Sequence, residues 1–365
     1  MALRSSHRRS PRRPARSSRR TPMLQLRNNT AFKANIALFP DARGVDTLYV
    51  AVRATFALRG GALRIAEAQE PLKLADEYWG EPGQTSLKHA ADLHLGKPAT
   101  DVVLLGEAWA PRGRPAPSVD VSLAVGPVAK VVRVFGDREW RGPLDLRISP
   151  PVPFERSPLV YERAFGGVLK YDPEKGPLEI DQRNPVGIGF GLRSAPPEKA
   201  VRRLPNLEDP AHLISGTRDR PPPAGFGFIA PSWEPRKRYA GTYDEAWQET
   251  RAPYLPKDFD ARFFNAASPG LVCPGHLRGG EPVKVQNASP DPWDVRLPLC
   301  DLDVKVTIEP SVERPPMRLQ TVMLEPGEGR LGIVWLGEVG CDKRALKVKL
   351  VEIDAKRIEL SGRRS

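Results

Sequence analysis

The residues best suited to chemistry in this chain are Cys273 and His276, which are separated by two residues. A thiolate and an imidazole at this spacing can bind one zinc ion, and a cysteine beside a histidine can also act as a nucleophile. A structural zinc site needs four ligands, however, and the other cysteines, Cys300 and Cys341, stand alone in the sequence. We therefore predict no metal site, no catalytic thiol and no cofactor.

A glycine-rich stretch, Gly187-Ile-Gly-Phe-Gly191, is of the kind that binds phosphate in some loops. Such loops lie between a strand and a helix whose N-terminal amides bind the phosphate. Here Asp181-Gln-Arg-Asn-Pro185 precedes the glycines and Arg193-Ser-Ala-Pro-Pro197 follows them, which matches neither element. The pattern indicates a close-packed glycine turn rather than a nucleotide site.

An acidic stretch has the oxygen ligands that calcium prefers. Its members are Asp172, Glu174, Glu179 and Asp181. Pro173 and Pro177 interrupt the spacing, and the order matches no EF-hand loop. We expect a solvated acidic loop.

Carboxylates also accompany the stretch Tyr161-Glu-Arg-Ala-Phe165, with Asp137-Arg138 before it and Asp244 after it. Two carboxylates at a suitable separation would supply the acid and base of a glycosidase. Arginines among aromatic residues more commonly pair with carboxylates and hold irregular backbone in place. The structural role is favoured here.

The net charge of +12 raises the possibility of a nucleic-acid partner, but its distribution argues against one. Eight arginines and no acidic residue precede Met23, so most of the excess lies in residues 1–22. That segment has little to bury, and we predict that it is a disordered basic extension, explained most simply by a start codon assigned upstream of Met23. A basic arm and a transit peptide are the alternatives, although three prolines in the segment disfavour an amphipathic helix.

No apolar run in the sequence is long enough to span a bilayer, and no export signal follows the early arginines. The three cysteines are an odd number that cannot all pair within one chain. We expect a soluble cytoplasmic protein with reduced thiols and no membrane association.

Strands account for most of the patterned sequence. Apolar residues alternate cleanly over Thr47 to Leu58, Ser118 to Val125 and Leu302 to Glu309, which indicates half-buried strands. Glycine turns predict hairpin partners after the first two, and Asp101 to Ala108 has the apolar run of a more buried strand. Further strands are expected at residues 282–285, 293–297, 318–324, 330–336 and 345–353.

The middle of the chain, residues 150–280, is rich in proline, glycine and aromatic residues and has no sustained period. One short helix is predicted after the capping box Thr242-Tyr-Asp-Glu245, with Trp247 on a shared face. The fold class is therefore mainly β, with two antiparallel β parts, sandwich-like or barrel-like, joined by a long irregular but ordered segment. We place the parts at residues 23–149 and 281–355, the connection at residues 150–280 and a tail at residues 356–365.

Short pieces spread over nearly everything after Met23 resemble one known family. They are, in chain order, Asn28-Asn-Thr-Ala-Phe32, Ala54-Thr-Phe56, Lys97-Pro-Ala-Thr-Asp101, Gly106-Glu-Ala-Trp-Ala-Pro111, Val134-Phe-Gly-Asp-Arg-Glu-Trp140, Tyr161-Glu-Arg-Ala-Phe-Gly-Gly167, Arg183-Asn-Pro-Val-Gly187, Leu204-Pro-Asn-Leu-Glu208, Arg238-Tyr-Ala-Gly-Thr-Tyr-Asp244, Leu255-Pro-Lys-Asp-Phe259 and Phe264-Asn-Ala-Ala267. The chain thereby resembles the bacterial family catalogued as domain of unknown function 2169. It departs from the family at Ser268-Pro-Gly-Leu-Val-Cys273, where an acidic residue and Gln are usual.

The resemblance implies a non-enzymatic adaptor of a type VI secretion system, which helps to load a toxin effector onto the spike protein. Irregular surfaces rich in aromatic and Arg residues suit protein recognition. The expected partner-binding residues lie in the irregular middle, where the resemblance is densest, and are Tyr161, Arg163, Tyr243, Asp244 and Trp247. No small-molecule substrate is expected. The alternatives are a carbohydrate-active enzyme, a carbohydrate-binding module with exposed Trp in a groove, and a nucleic-acid-binding module.

Overall fold

The computed structural model describes residues 24–142, 146–190 and 202–360. Strands make up 44% of the structure and helices 9%, so the mainly β prediction is confirmed. Within the described ranges, none of the helices has the length and apolar character needed to cross a membrane. The prediction of a disordered segment at residues 1–22 lies outside the described residues.

The described residues form many strands and one short α-helix. The strands of the first half are β1 (Gln25–Asn28), β2 (Lys33–Pro40), β3 (Asp46–Arg59), β4 (Ala62–Ile65), β5 (Glu77–Tyr78), β6 (Leu87–His89), β7 (Asp101–Leu104), β8 (Glu107–Trp109), β9 (Ser118–Val125), β10 (Val128–Phe135), β11 (Trp140–Arg141), β12 (Arg147–Ile148), β13 (Arg156–Pro158), β14 (Phe165–Gly166), β15 (Val168–Asp172) and β16 (Gly176–Ile180). The later elements are β17 (Ile188–Gly189), β18 (Leu207–Glu208), α1 (Glu245–Thr250), β19 (Pro282–Gln286), β20 (Trp293–Arg296), β21 (Leu299–Ile308), β22 (Ser311–Glu313), β23 (Arg318–Glu325), β24 (Arg330–Gly340) and β25 (Val348–Glu359). Turns of 3-10 helix lie at Pro111–Gly113, Tyr161–Arg163, Arg236–Tyr239, Ala261–Phe264, Pro326–Glu328 and Asp342–Lys347.

Three larger sheets organise the molecule, and none of them closes into a barrel. Their strand orders are β2-β3-β24-β23-β7 with β4 beside β3, β18-β10-β9-β19-β20, and β1-β25-β21-β22. The predicted hairpins β3–β4 and β9–β10 are confirmed, as is the buried strand β7. One large apolar core joins the inner faces of these sheets.

Each large sheet takes strands from both ends of the chain, which corrects the prediction of two separate antiparallel β parts. Strand β3 pairs with β24 and β9 pairs with β19, while β1 and β7 pair parallel with β25 and β23. Alternation of apolar residues identifies the face that a strand buries but not the strand beside it, so the pattern did not reveal this interleaving.

Strand β3 was predicted to be half buried and is instead buried on both faces. Tyr49 and Ala51 on its second face form a small cluster with Leu336, and Arg53 makes a buried ion pair with Asp92 at 2.8 Å. Leucines from the following segment and a neighbouring aromatic residue cover that cluster, namely Phe39, Leu72, Leu93 and Leu95.

The predicted helix is present, but its cap differs from the prediction. Asp244, not Thr242, is the N-cap residue, and its carboxylate accepts a hydrogen bond from the Trp247 amide at 2.8 Å. Thr242 instead donates its hydroxyl to Asp258 at 2.7 Å. Thr and Asp both suit an N-cap position. Because the Thr242 hydroxyl is bound to Asp258, it does not cap the helix.

Candidate functional site

Tyr161, predicted to contact a partner, lies in the core and is 3% exposed. It begins a 3-10 turn, and its ring packs edge-on against Trp233 with centroids 5.8 Å apart. Its hydroxyl lies beside Ser268 without a hydrogen bond of ordinary geometry. The ring is therefore a packing anchor and not an exposed aromatic contact.

The polar residues around Tyr161 hold the backbone of the turn. Glu162 accepts hydrogen bonds from the amide and hydroxyl of Ser86 at 2.7 and 2.8 Å. Asn184 donates to the carbonyls of Tyr161 and Phe165 at 2.8 and 3.0 Å. The most characteristic stretch of the resemblance thus serves the fold, since each bond satisfies a backbone or side-chain group in a region without regular pairing.

Arg163, the second residue predicted to bind a partner, is partly exposed beside the turn. It donates to the Ser157 hydroxyl at 3.2 Å, and its guanidinium lies 3.9 Å from Asp137. The predicted Arg–carboxylate pairs exist in this region, but the buried one joins Arg138 to Glu208 rather than to a nearby residue. The Arg163 side chain is 34% exposed.

Glycine packing in this region confirms the predicted close-packed turn. A Cβ atom on Gly187 would lie 2.3 Å from the Asn184 amide nitrogen and 2.7 Å from the Ala164 carbonyl. Strand β17, which contains Gly189, pairs parallel with β14. The glycines allow two backbone segments to approach closely.

An aromatic surface lies around α1, and we define it by the exposed Tyr243 and Tyr254 and by Trp247, which is half-buried between them. Tyr243 and Tyr254 are 54% and 40% exposed, and no residue of α1 is buried. The rings of Tyr243 and Trp247 meet edge-to-face with centroids 4.8 Å apart. The Trp247 indole donates to the Tyr254 carbonyl at 2.8 Å, so the three residues form one unit.

The aromatic surface is fixed to the sheet with the order β2-β3-β24-β23-β7, which we call the main sheet. The contact is made through the loop between β2 and β3. Arg251 donates to the Ala42 carbonyl at 2.6 Å and to the Leu255 carbonyl at 2.8 Å. Gly44 packs against the Tyr254 ring, where its positive φ of 90° suits glycine. A six-residue helix with no buried face is thereby held in a defined position.

A cavity of about 220 Å³ brings several titratable groups together near Tyr161. The ammonium of Lys130 donates to the Ser268 hydroxyl at 2.6 Å and to the Pro269 carbonyl at 3.0 Å. Burial lowers the pKa of Lys130 to about 8, and Asp209 acts in the opposite direction. The polar lining residues are Lys130, Tyr161, Arg183, Asp209 and Glu234.

The carboxylates of this cavity already have partners. Asp209 accepts from the Ala211 amide at 2.9 Å and contacts His212, and these bonds hold its pKa below the ordinary value. Glu234 accepts from Arg238 at 2.6 Å. Neither arrangement resembles a free general acid facing a free general base.

A groove of about 460 Å³ on another part of the surface contains two tryptophans. The ammonium of Lys88 lies 4.9 Å from the Trp79 ring centre, and the guanidinium of Arg156 lies 3.7 Å from that of Trp109. Cations therefore cover one face of each ring.

Cys273 and His276 each have contacts within the fold. Cys273 is buried, and burial raises its pKa to about 11, with Asp101 and Glu281 adding to the effect. The His276 ring nitrogen lies 3.1 Å from the Leu319 carbonyl. Within residues 24–142, 146–190 and 202–360, no three His, Cys, Asp or Glu side chains are grouped as metal ligands.

The structure brings together three of the five predicted partner-binding residues, Tyr243, Asp244 and Trp247. No hydrogen bond, ion pair or ring contact between described residues joins them to Tyr161 or Arg163. The sequence prediction missed Tyr254 and Arg251. An aromatic residue one helical turn past the end of α1 was the signal for Tyr254, whereas nothing in the sequence linked Arg251 to the loop 209 residues away.

Comparison with known proteins gives the family. The chain matches the family model described as "Uncharacterized protein conserved in bacteria (DUF2169)" over residues 43–336. No curated protein and no solved structure matches it. Because the match covers well over half of the chain, the protein belongs to this bacterial family, DUF2169.

Proposed function

We propose that this protein is a non-enzymatic adaptor of a bacterial type VI secretion system that binds a toxin effector and the spike protein in the cytoplasm. The observation that carries the proposal is the exposed aromatic surface on α1, anchored to the main sheet. The chain belongs to the DUF2169 family, and the role in secretion is what the sequence resemblance implies for that family.

The aromatic surface has the composition of a binding hot spot. Tyr and Trp side chains offer a large contact area with few rotatable bonds, so they lose little entropy when a partner binds. Here Tyr243, Trp247 and Tyr254 are adjacent, and Arg251 holds them in place before any partner arrives. A partner would meet a preorganised surface, which reduces the cost of association.

The titratable groups support a binding role over a catalytic one. The Cys273 thiol is buried and its pKa is raised, so it is protonated at neutral pH and a weak nucleophile. The carboxylates near Lys130 are held by His212 and Arg238. These groups are already used within the fold.

The proposal is tested by deleting the gene and measuring co-purification of toxin with spike and delivery of the toxin. We expect both to be lost, and to be restored by the wild-type gene. A Val152→Ala gene, changed at an exposed apolar position outside the aromatic surface, should restore them equally. Normal loading of the toxin without this protein would overturn the adaptor proposal.

A second candidate function is carbohydrate binding, which the groove with Trp79 and Trp109 favours. Sugar rings stack on tryptophan faces, and both rings line one groove of sufficient volume. The cations over each ring leave fewer free faces, which makes this the weaker candidate. A glycan array with wild-type and Trp79→Ala protein tests it, since binding that depends on Trp79 would favour this function.

A further inference from the structure

Strand β2 leaves one edge of the main sheet open. It lies at the end of the strand order and, among the described strands, bonds only to β3, with Lys33 opposite Arg53 and Pro40 opposite Asp46. The other end of the same sheet is closed, because the amides of Val102 and Leu104 on β7 donate to loop carbonyls at 2.9 and 3.2 Å. The β7 edge of the sheet is therefore covered by loop backbone, whereas the β2 edge is not covered by any described segment.

The outward-facing backbone groups of β2 belong to Ala34, Ile36 and Leu38. In an antiparallel pair, alternate residues bond to the neighbouring strand and the others point away from it. The Ile36 amide donates to the Asn35 side chain at 2.8 Å instead of to β3, which identifies the even-numbered residues as the outward set. No backbone bond from another described segment reaches these three residues.

The composition of β2 lacks most of the features that keep an edge strand unpaired. Proteins usually protect an edge with charged side chains, proline, bulges or a very short strand. Strand β2 has eight residues, no bulge, and no charge between Lys33 and Pro40. The remaining edge strands of the three larger sheets in the described ranges have two to four residues.

We propose that β2 pairs antiparallel with β2 of a second copy of this chain, so that the two main sheets become one continuous sheet across a two-fold axis at Ile36. In this register Ile36 lies opposite Ile36 of the second copy and Ala34 lies opposite Leu38. Ala34 and Leu38 of each copy then exchange both backbone hydrogen bonds with a partner residue, and Ile36 does the same once its amide gives up the bond to the Asn35 side chain.

The register is self-complementary in size and charge. The exposed side chain of Leu38, 43% accessible, meets the small Ala34 rather than its own copy. Lys33 of one copy lies opposite the uncharged Phe39 of the second copy, close to that copy's Asp41. The two Lys33 side chains lie at opposite ends of the paired strands. Like charges do not face each other, which a paired edge requires. Pro40, which has no amide hydrogen, ends the ladder.

The test is analytical ultracentrifugation of the full chain as wild type, Leu38→Pro and Val312→Lys. Leu38→Pro removes an outward amide while sparing the bonds to β3, so the fold should persist and the dimer constant should weaken by about tenfold or more. Val312→Lys changes an exposed residue on β22, an edge strand of a different sheet, and should leave the dimer intact. Circular dichroism checks that each variant is folded.

Amide hydrogen exchange over residues 33–40 gives an independent readout. We expect protection that increases with protein concentration in the wild type and is absent in Leu38→Pro. A wild-type protein that stays monomeric at its highest soluble concentration would overturn the proposal. So would a dimer that survives Leu38→Pro, or protection of residues 33–40 that arises only when another protein is added.

Discussion

The sheets and the irregular middle of this protein are stabilised by different chemistry. Strands β3 and β24 pair over eleven positions, and their inward residues are apolar, so burial of apolar surface holds them together. The described residues between 150 and 280 have few strand pairs, and buried polar side chains hold their backbone, as Asn184 and Arg236 do. Apolar packing tolerates small changes of shape, whereas a buried polar group fails when one partner is lost.

The largest effect on stability is expected from Asp101→Asn. Asp101 is fully buried and binds the Lys97 ammonium at 2.7 Å, the Asn265 amide at 2.9 Å and the Ala266 amide at 2.8 Å. The change keeps the size of the side chain but leaves the buried Lys97 charge without its counter-charge. We expect a loss of about 3–5 kcal/mol in the free energy of unfolding.

Chemical denaturation measures that loss, and Asp120→Asn is the matched control. Asp120 pairs with Arg133 on the surface at 2.7 Å, so its replacement should cost less than about 1 kcal/mol. Equal losses of unfolding free energy at the two sites would show that Asp101, which binds Lys97, Asn265 and Ala266, has no special role in joining the middle of the chain to β7.

A backbone clash is expected to rank second. Gly166 has a φ of 150°, and a Cβ atom there would lie 2.1 Å from the Asn184 carbonyl oxygen. Gly166→Ala should therefore lower the free energy of unfolding by roughly 2–4 kcal/mol. Gly83→Ala, also at positive φ but with open space around it, should cost only the strain of the left-handed backbone, about 1–2 kcal/mol. Thermal melts of both variants measure the difference. Equal drops in melting temperature would show that the close contact at Gly166 does not contribute to stability.

The third prediction concerns the pH dependence of stability that arises from His89 on β6. Burial, with Lys73 and Arg53 nearby, lowers the pKa of His89 from 6.5 to about 4. Between these values the unfolded chain binds a proton that the folded protein does not, so stability falls as the pH is lowered from about 6.5 to 4. The contribution of His89 should reach about 3 kcal/mol at the acid end.

His89→Gln isolates this contribution from that of the carboxylates. The difference in unfolding free energy between pH 7 and pH 4 should be smaller in the variant than in the wild type. An unchanged difference would mean that His89 is protonated in the folded protein.

The smallest effect on stability is expected from a conservative change in the sheets. Ile333 on β24 is fully buried among apolar residues. Ile333→Val should cost about 0.5–1.5 kcal/mol by chemical denaturation, since one methylene is lost and the neighbours relax. A cost as large as that of Asp101→Asn would remove the distinction between the two regions.

The sequence predicted the sheets better than the middle for a physical reason. A period of two in Ser118 to Val125 marks a strand whatever lies beside it, and β9 has those bounds. The partner of Arg138 is Glu208, and the support of Arg251 is Ala42, far along the chain in each case. Such pairs depend on the folded path of the backbone, which no local pattern contains.

The same limit applies to the candidate site. Tyr161 and Tyr243 were both predicted to bind a partner, but only Tyr243 is exposed. Tyr161 packs against Trp233 in the core, whereas Tyr243 lies on the surface just before α1. Trp247 and Asp244 were predicted from the density of the family resemblance in the middle of the chain, and the structure joins them at the start of α1.

The most direct test of the account is co-purification of toxin and spike from cells that carry Trp247→Ala in place of the wild-type gene. Trp247 lies at the centre of the aromatic surface and no α1 residue is fully buried, so the fold should persist with only a small drop in melting temperature. Partner binding should weaken by about 2 kcal/mol or more, and toxin should no longer co-purify with the spike. Trp79→Ala removes an exposed tryptophan elsewhere and should change neither. Normal co-purification with Trp247→Ala, or its loss with Trp79→Ala alone, would contradict the account.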